Sequence, residues 1–100
     1  MEYESPIKSG FTVYSKSGCP NCIKVKNLLK DNHLVFKIVD CDDYIINDKD
    51  NFLFFIKELS NTSCRVFPMV FNDGKFIGGH IETKIYVDKI MTDFEETLIF

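Results

Sequence analysis

Two cysteines separated by two residues, Cys19-Pro20-Asn21-Cys22, are the side chains of this sequence best placed to do chemistry. Just before them, Phe11-Thr12-Val13-Tyr14 reads as a short buried strand, and just after them Ile23 to Leu29 reads as the first turns of a helix. A thiol at a helix start meets unpaired backbone N–H groups and the positive end of the helix dipole, and both favour the thiolate. The second thiol follows one helical turn later, close enough to form a disulfide with the first. The pair therefore reads as a dithiol redox site rather than as two inert, buried cysteines.

Other residues are candidates to serve that site. Lys16 stands three residues before Cys19, where a cation lowers a thiol pKa and attracts a carboxylate. Its plainer reading is the solvated end of a strand. Arg65 is the sole arginine, and its guanidinium fork can hold a carboxylate through two parallel bonds. Gly78-Gly79 reads as a turn that also lets a ligand backbone approach closely, and His80 just beyond it can touch a ligand or cap the loop. Cys41 and Cys64 stand alone and read as structural, with Cys64 the more open of the two to oxidation. His33 suits a helix end. A zinc site usually presents two close ligand pairs; here one pair is missing and the two histidines are far apart in sequence, so no metal site is expected.

The 100 residues suffice for one core, so a single domain over 1–100 is expected, with 1–9 as a loose N-terminal segment. Hydrophobic residues at 45% and charged residues at 27% describe a globular chain rather than a disordered one. A net charge of −3 argues against a general nucleic-acid binder, which usually carries a basic surface. No run approaches the roughly 18 apolar residues of a membrane-crossing helix. The opening Met1-Glu2-Tyr3-Glu4-Ser5-Pro6 does not resemble a secretory signal, so a cytoplasmic location is expected, where thiols are kept reduced.

Hydrophobic periodicity supplies the elements that would position these residues. A first strand is expected over Phe11 to Lys16, then a Ser17-Gly18 loop. Pro20 suits the first turn of the next helix, whose Val25, Leu28 and Leu29 face a core while Lys24, Lys26 and Lys30 face out. Asp31-Asn32 ends it, and Leu34 to Asp40 is a second strand. The stretch from Asp42 to Asn51 is polar apart from Tyr44-Ile45-Ile46 and offers Asn47, Asp48 and Asp50 as helix caps, ahead of an amphipathic run at Phe52, Phe55, Ile56 and Leu59. Pro68 opens a third strand, Met69-Val70-Phe71. Asn72-Asp73-Gly74 turns the chain into Lys75-Phe76-Ile77. A last helix carries a stripe of Val87, Ile90, Met91, Phe94 and Leu98, and Thr92-Asp93 is a possible start for a separate one. The order β-α-β-α-β-β-α requires a parallel pair with a right-handed crossover plus an antiparallel hairpin, an α/β fold with a four-stranded mixed sheet flanked by helices.

With that order in place, the chain resembles a glutaredoxin of the dithiol C-P-x-C type over nearly its whole length. The matching pieces are Lys16-Ser17-Gly18-Cys19-Pro20-Asn21-Cys22, Arg65-Val66-Phe67-Pro68 and Gly78-Gly79 after the hairpin. The resemblance implies a thioredoxin-like fold and the reduction of disulfides at the expense of glutathione, with no permanently bound cofactor. It implies Cys19 as nucleophile, Cys22 as resolving thiol and a cis Pro68, with the backbone of Phe67 pairing with the peptide part of glutathione. The glutathione site it implies comprises Lys16, Asn21, Arg65, Phe67, Pro68, Gly79, His80 and Glu82. Asn21 stands where many members carry an aromatic residue, Val66-Phe67 where they carry Thr-Val, and Ile81-Glu82 where they carry a small or polar residue and Asp.

The function expected is reduction of protein disulfides and glutathione mixed disulfides by a cytosolic monomer. Its partners would be glutathione and disulfide-bearing proteins, with ribonucleotide reductase as a candidate by family analogy, and neither nucleic acid nor membrane. Three alternatives stay open. One is a thioredoxin-like reductant fed by a reductase. Another is a module in which Cys19 and glutathione from two subunits hold a [2Fe–2S] cluster, an arrangement that the stiffness of Pro20 opposes. The third is a redox-sensing interaction domain without turnover, which a kinetic assay would exclude.

Overall fold

A computed structural model describes the backbone of residues 2–99 and the side chains of residues 2–92. Its elements are β1 (Phe11–Ser15), α1 (Pro20–Asp31), β2 (Phe36–Asp40), α2 (Asp42–Ser60), β3 (Met69–Asn72), β4 (Lys75–Gly78) and α3 (His80–Ile99). The sheet order is β2-β1-β3-β4. β1 and β2 run parallel, while β1 with β3 and β3 with β4 run antiparallel. This is the expected α/β architecture, a thioredoxin-like mixed sheet with helices on both faces.

Alternation along β1 and β3 divides the core in two. Phe11, Val13 and Val70 point to the face covered by α1 and α3, where they meet Val25, Leu29 and Val87. Tyr14, Met69 and Phe71 point to the other face and meet Phe52 and Ile56 of α2. Both faces of the central strands are covered, so their residues form a nearly continuous apolar run, as central strands of α/β sheets do. No helix among the described residues is long and apolar enough to cross a membrane.

The structure moves several expected boundaries. β1 ends at Ser15, one residue before Lys16. β2 begins at Phe36 rather than Leu34, because its pairing with β1 starts at Phe11 and His33 turns the chain with φ 56°. The polar stretch from Asp42 is helical, with acidic side chains in its first turn to complement the dipole. A kink at Asp48 (φ −158°, ψ 49°) interrupts α2, and the Asn51 side-chain amide donates to the Asp48 carboxylate there (2.9 Å). Asp73 and Gly74 both take positive φ, 52° and 80°, as the tight hairpin requires. α3 runs through Thr92-Asp93 without a break. The side chains of Phe94 and Leu98 lie outside the described residues.

The N-terminal segment, expected to lie loose, has neither helix nor strand but is tied down at several points. The Tyr3 hydroxyl donates to Asp48 (2.6 Å), and its ring packs on Tyr44, Phe52 and Phe55. The Tyr14 hydroxyl donates to the Glu4 carbonyl (2.6 Å), and the Ile7 amide donates to the buried Thr12 hydroxyl (2.9 Å). Lys37 and Glu4 form an ion pair.

Candidate active site

Cys19 and Cys22 are joined as a disulfide, with 5.3 Å between their Cα atoms. Cys19 is the N-cap of α1, in an extended conformation (φ −115°, ψ 98°), and Pro20 occupies the first turn, where a missing N–H costs nothing. The sulfur of Cys19 takes the place that a Ser or Asp oxygen usually holds, accepting the Cys22 amide at 3.2 Å. The Cys19 carbonyl accepts from the same amide at 3.1 Å and from Ile23 at 3.3 Å. A negative charge formed on that sulfur by reduction is favoured by such a donor and by the positive end of the helix dipole. Both cysteines are buried, Cys19 at 7% exposure and Cys22 at 4%, so attack on either sulfur needs a partner seated against the surface here.

The loop between β1 and α1 is held from α2. The Ser17 amide donates to Asp42 (2.9 Å), and the Ser17 hydroxyl donates to the same carboxylate. These two bonds, the hydroxyl first, hold the Asp42 carboxyl below the usual carboxylate range, and the Lys16 ammonium adds to the effect. Asp42 was not singled out among the site residues by its sequence. The available signal was its position just past β2, the parallel neighbour of β1, which brings it beside the end of β1.

Two depressions gather most of the residues read from the sequence. A cleft of about 240 Å³ is lined by both cysteines with Lys16, Ile23, Lys26 and Ile38. A groove of about 220 Å³ brings together Asn21, Phe67, Gly79, His80 and Glu82, five of those residues. Cys64, Val66 and Ile81 complete it. Arg65 does not line this groove; it lines a neighbouring cleft of about 430 Å³ with Asp50, Lys57 and Cys64. Lys16 lines the cleft with the two cysteines rather than the groove, its ammonium over the ring of Phe67 at 5.6 Å. The peptide bond from Phe67 to the buried Pro68 is cis.

Glu82 is the most constrained member of the groove. Its carboxylate turns back to accept the Gly79 amide (2.8 Å), and the Gly79 carbonyl accepts the first helical bond of α3 from Thr83 (3.0 Å). Glu82 thus caps its own helix from the third position, as in half of a capping box. The fold-back is possible because Gly78 has no side chain: a Cβ there would lie 2.7 Å from the Glu82 Cβ. Of the free thiols, Cys41 is buried at the end of β2 and Cys64 is half-buried. Burial pushes the Cys41 thiol up to about 12, so it is not a nucleophile near neutral pH. Among the described residues, no cluster of three or more His, Cys, Asp or Glu side chains could hold a metal ion.

Residues 11–77, which include the whole redox loop and the cis-proline turn, match the Glutaredoxin family model. The chain belongs to the glutaredoxin family. Glutaredoxin-C6 of Oryza sativa subsp. japonica is 35% identical over 80% of this chain and 68% of its own length. Glutaredoxin 1 of Francisella tularensis, solved with cacodylate, superposes with a TM-score of 0.71 at 27% identity, covering 82% of this chain and 95% of that one. A buckwheat glutaredoxin, solved as a glutathione complex, gives a TM-score of 0.66 at 27% identity over 82% of this chain and 73% of its own. The activity of this glutaredoxin is therefore thiol–disulfide oxidoreduction through Cys19 and Cys22.

Proposed function

We propose that this glutaredoxin draws its electrons from glutathione and reduces glutathione mixed disulfides and protein disulfides. The observation that carries the reading is the groove in which Asn21, within the Cys19–Cys22 loop, the Phe67 turn and the start of α3 converge. A concave groove beside the redox loop and the cis-proline turn suits a small peptide, and the buckwheat relative was solved with glutathione.

The chemistry follows from the site. The Cys19 thiolate attacks one sulfur of a substrate disulfide; a new S–S bond forms, the old one breaks, and the departing sulfur leaves as a thiolate that takes up a proton. Cys22 then attacks the Cys19 sulfur, closing the internal disulfide and releasing the second substrate sulfur reduced. One glutathione thiolate opens the internal disulfide to give a mixed disulfide on Cys19. A second attacks the glutathionyl sulfur, leaving glutathione disulfide and a restored Cys19 thiolate. Two glutathiones are oxidised for each disulfide reduced. Glutaredoxin potentials of roughly −200 to −230 mV allow glutathione to drive this cycle.

Turnover of a glutathione mixed disulfide, coupled to glutathione reductase and repeated with thioredoxin reductase, tests the reading. Activity is expected with glutathione only. Cys19→Ser should abolish it, while Cys22→Ser should keep the reduction of small glutathione mixed disulfides and lose most reduction of protein disulfides, because glutathione itself can resolve Cys19. Turnover with thioredoxin reductase alone would overturn the glutathione assignment and leave the dithiol chemistry standing.

A further inference from the structure

The turn before the cis proline carries a large ring where its backbone alone would serve a peptide ligand. Phe67 is 9% exposed, and its ring lies parallel to that of Phe52, 8° between planes and 6.3 Å between centroids. Phe52 is itself packed among Tyr3, Tyr14, Tyr44 and Phe55, so the ring of Phe67 rests on a rigid aromatic layer. The Lys16 ammonium sits over that ring, 5.6 Å from its centroid, within the range of a cation–π contact. The same lysine lines the cleft that contains Cys19 and Cys22.

We propose that Phe67 is a positioning residue for the redox site: its ring seats the Lys16 ammonium beside Cys19 and so raises the thiolate fraction of the reduced enzyme. The choice of a ring has a physical reason. Lys16 has a second attraction in Asp42, whose carboxyl is held low partly by the lysine. A carboxylate that captured the ammonium would cancel its charge and remove its field from the sulfur. A ring face attracts the cation through its quadrupole and leaves the net positive charge intact. Phe67 therefore competes with Asp42 for the lysine without neutralising it.

The other ionisable groups around the site are retained in every variant of the test. Lys26 lines the same cleft from α1, and His80 and Glu82 line the groove from α3. Arg65 lines the cleft beyond Cys64. The proposal rests on the thiol chemistry of Cys19 and not on glutathione as reductant, and its test uses no glutathione.

In the Cys22→Ser protein, which cannot close the disulfide, the alkylation rate of Cys19 is followed against pH by peptide mass spectrometry. Neutral iodoacetamide gives the titration midpoint. The ratio of iodoacetate to iodoacetamide rates reports the positive charge felt at the sulfur, a readout that loosened packing alone does not move. Phe67→Leu should raise the midpoint by about 0.3–0.7 pH unit and lower the rate ratio about two- to fivefold, the scale of an exposed cation–π contact. Phe67→Tyr, which keeps the ring face, should restore both values. In a Lys16→Ala background, Phe67→Leu should change neither quantity further, because the pair acts as a unit.

Unchanged values in Phe67→Leu, or additive effects of the two substitutions, would overturn the proposal. A measurement on the unsubstituted protein stands apart from any folding defect in the variants: ring currents from Phe67 should shift the Lys16 side-chain methylene protons upfield. Methylene shifts equal to those of the other lysines would also overturn it.

Discussion

Replacing Gly78 by alanine should destabilise the protein far more than the same change at Gly79, although the two are neighbours in one turn. Gly78 has φ +135°, a region that residues with a Cβ rarely enter, and holding alanine there costs about 1–3 kcal/mol. The new Cβ would meet the Glu82 Cβ at 2.7 Å and its Cγ at 2.8 Å. The first of these is fixed to the helix backbone, so the start of α3 must shift, and the Cγ must turn away with its carboxylate. That movement breaks its bond to the Gly79 amide, and the loss of a helix cap costs about 1 kcal/mol. Together the terms come to about 3 kcal/mol, or a fall in Tm of about 12–24 °C for a domain of this size. At Gly79 the nearest atoms would be the Glu82 carboxylate oxygen at 3.3 Å and the Pro68 carbonyl at 3.7 Å, with no positive φ. Alanine is a poorer N-cap than glycine but less flexible in the unfolded chain, so the net effect should stay within about 1 kcal/mol. Thermal and urea unfolding of the two variants, with Glu82→Ala as a third to isolate the cap, would measure each term. If Gly79→Ala is as destabilising as Gly78→Ala, the reasoning from the glycine geometry is wrong.

The two free cysteines should differ in reactivity. With the disulfide intact, maleimide at pH 7 should label Cys64 and leave Cys41 untouched until the protein unfolds, as peptide mapping would show; equal labelling would contradict the burial of Cys41. Asp42 should contribute to acid stability. Its folded pKa lies below the unfolded value of about 3.9, so its contribution is fully present above that pH and is lost as pH falls through the lower folded value. Asp42→Ala should therefore weaken the fall in stability below about pH 4 and speed hydrogen exchange at the Ser17 amide. At alkaline pH the sign reverses for Tyr3, whose hydroxyl is pushed up to about 12 by burial and by its bond to Asp48. The stability it contributes is present below about pH 10 and is lost as pH rises toward 12, and Tyr3→Phe should remove that part of the alkaline transition in a pH titration of unfolding.

Much of this architecture was legible because it depends on local rules. The alternating apolar run at Phe11 to Tyr14, the i, i+3, i+4 spacing of Val25, Leu28 and Leu29, and Asp73-Gly74 in the hairpin each carry their own signal. The errors fell where tertiary contacts decide. In the stretch from Asp42 to Asn47 the apolar residues Tyr44, Ile45 and Ile46 are consecutive and carry no helical spacing, yet it is helical, starting beside the end of β1 where Asp42 holds the redox loop. The N-terminal segment has no periodicity, yet Tyr3 finds Asp48, forty-five residues away. At the site, Cys19 and Cys22 were readable from spacing alone. Two contacts were not: the Lys16 ammonium over the Phe67 ring joins residues 51 positions apart, and the fold-back of Glu82 depends on empty space at Gly78.

The register of the sheet explains why these pieces meet. Ser15 pairs with Asp40, Tyr14 with Met69, and Val70 with Gly78, so the ends of β1, β2 and β4 and the start of β3 lie along one edge. α1, α2 and α3 therefore all begin at that edge, each turning the positive end of its dipole toward the same region. In two of them that charge is already answered: α2 has Asp42 and Asp43 in its first turn, and α3 has Glu82. The first turn of α1 contains no acid. Its free amides face the sulfur of Cys19 instead, so the one helix start without a carboxylate is the one at which a thiolate forms. An acidic residue at Asn21 would compete for those amides and repel the thiolate. It would thus undo the arrangement without touching either cysteine, which is why the residue types around the dithiol matter as much as its spacing.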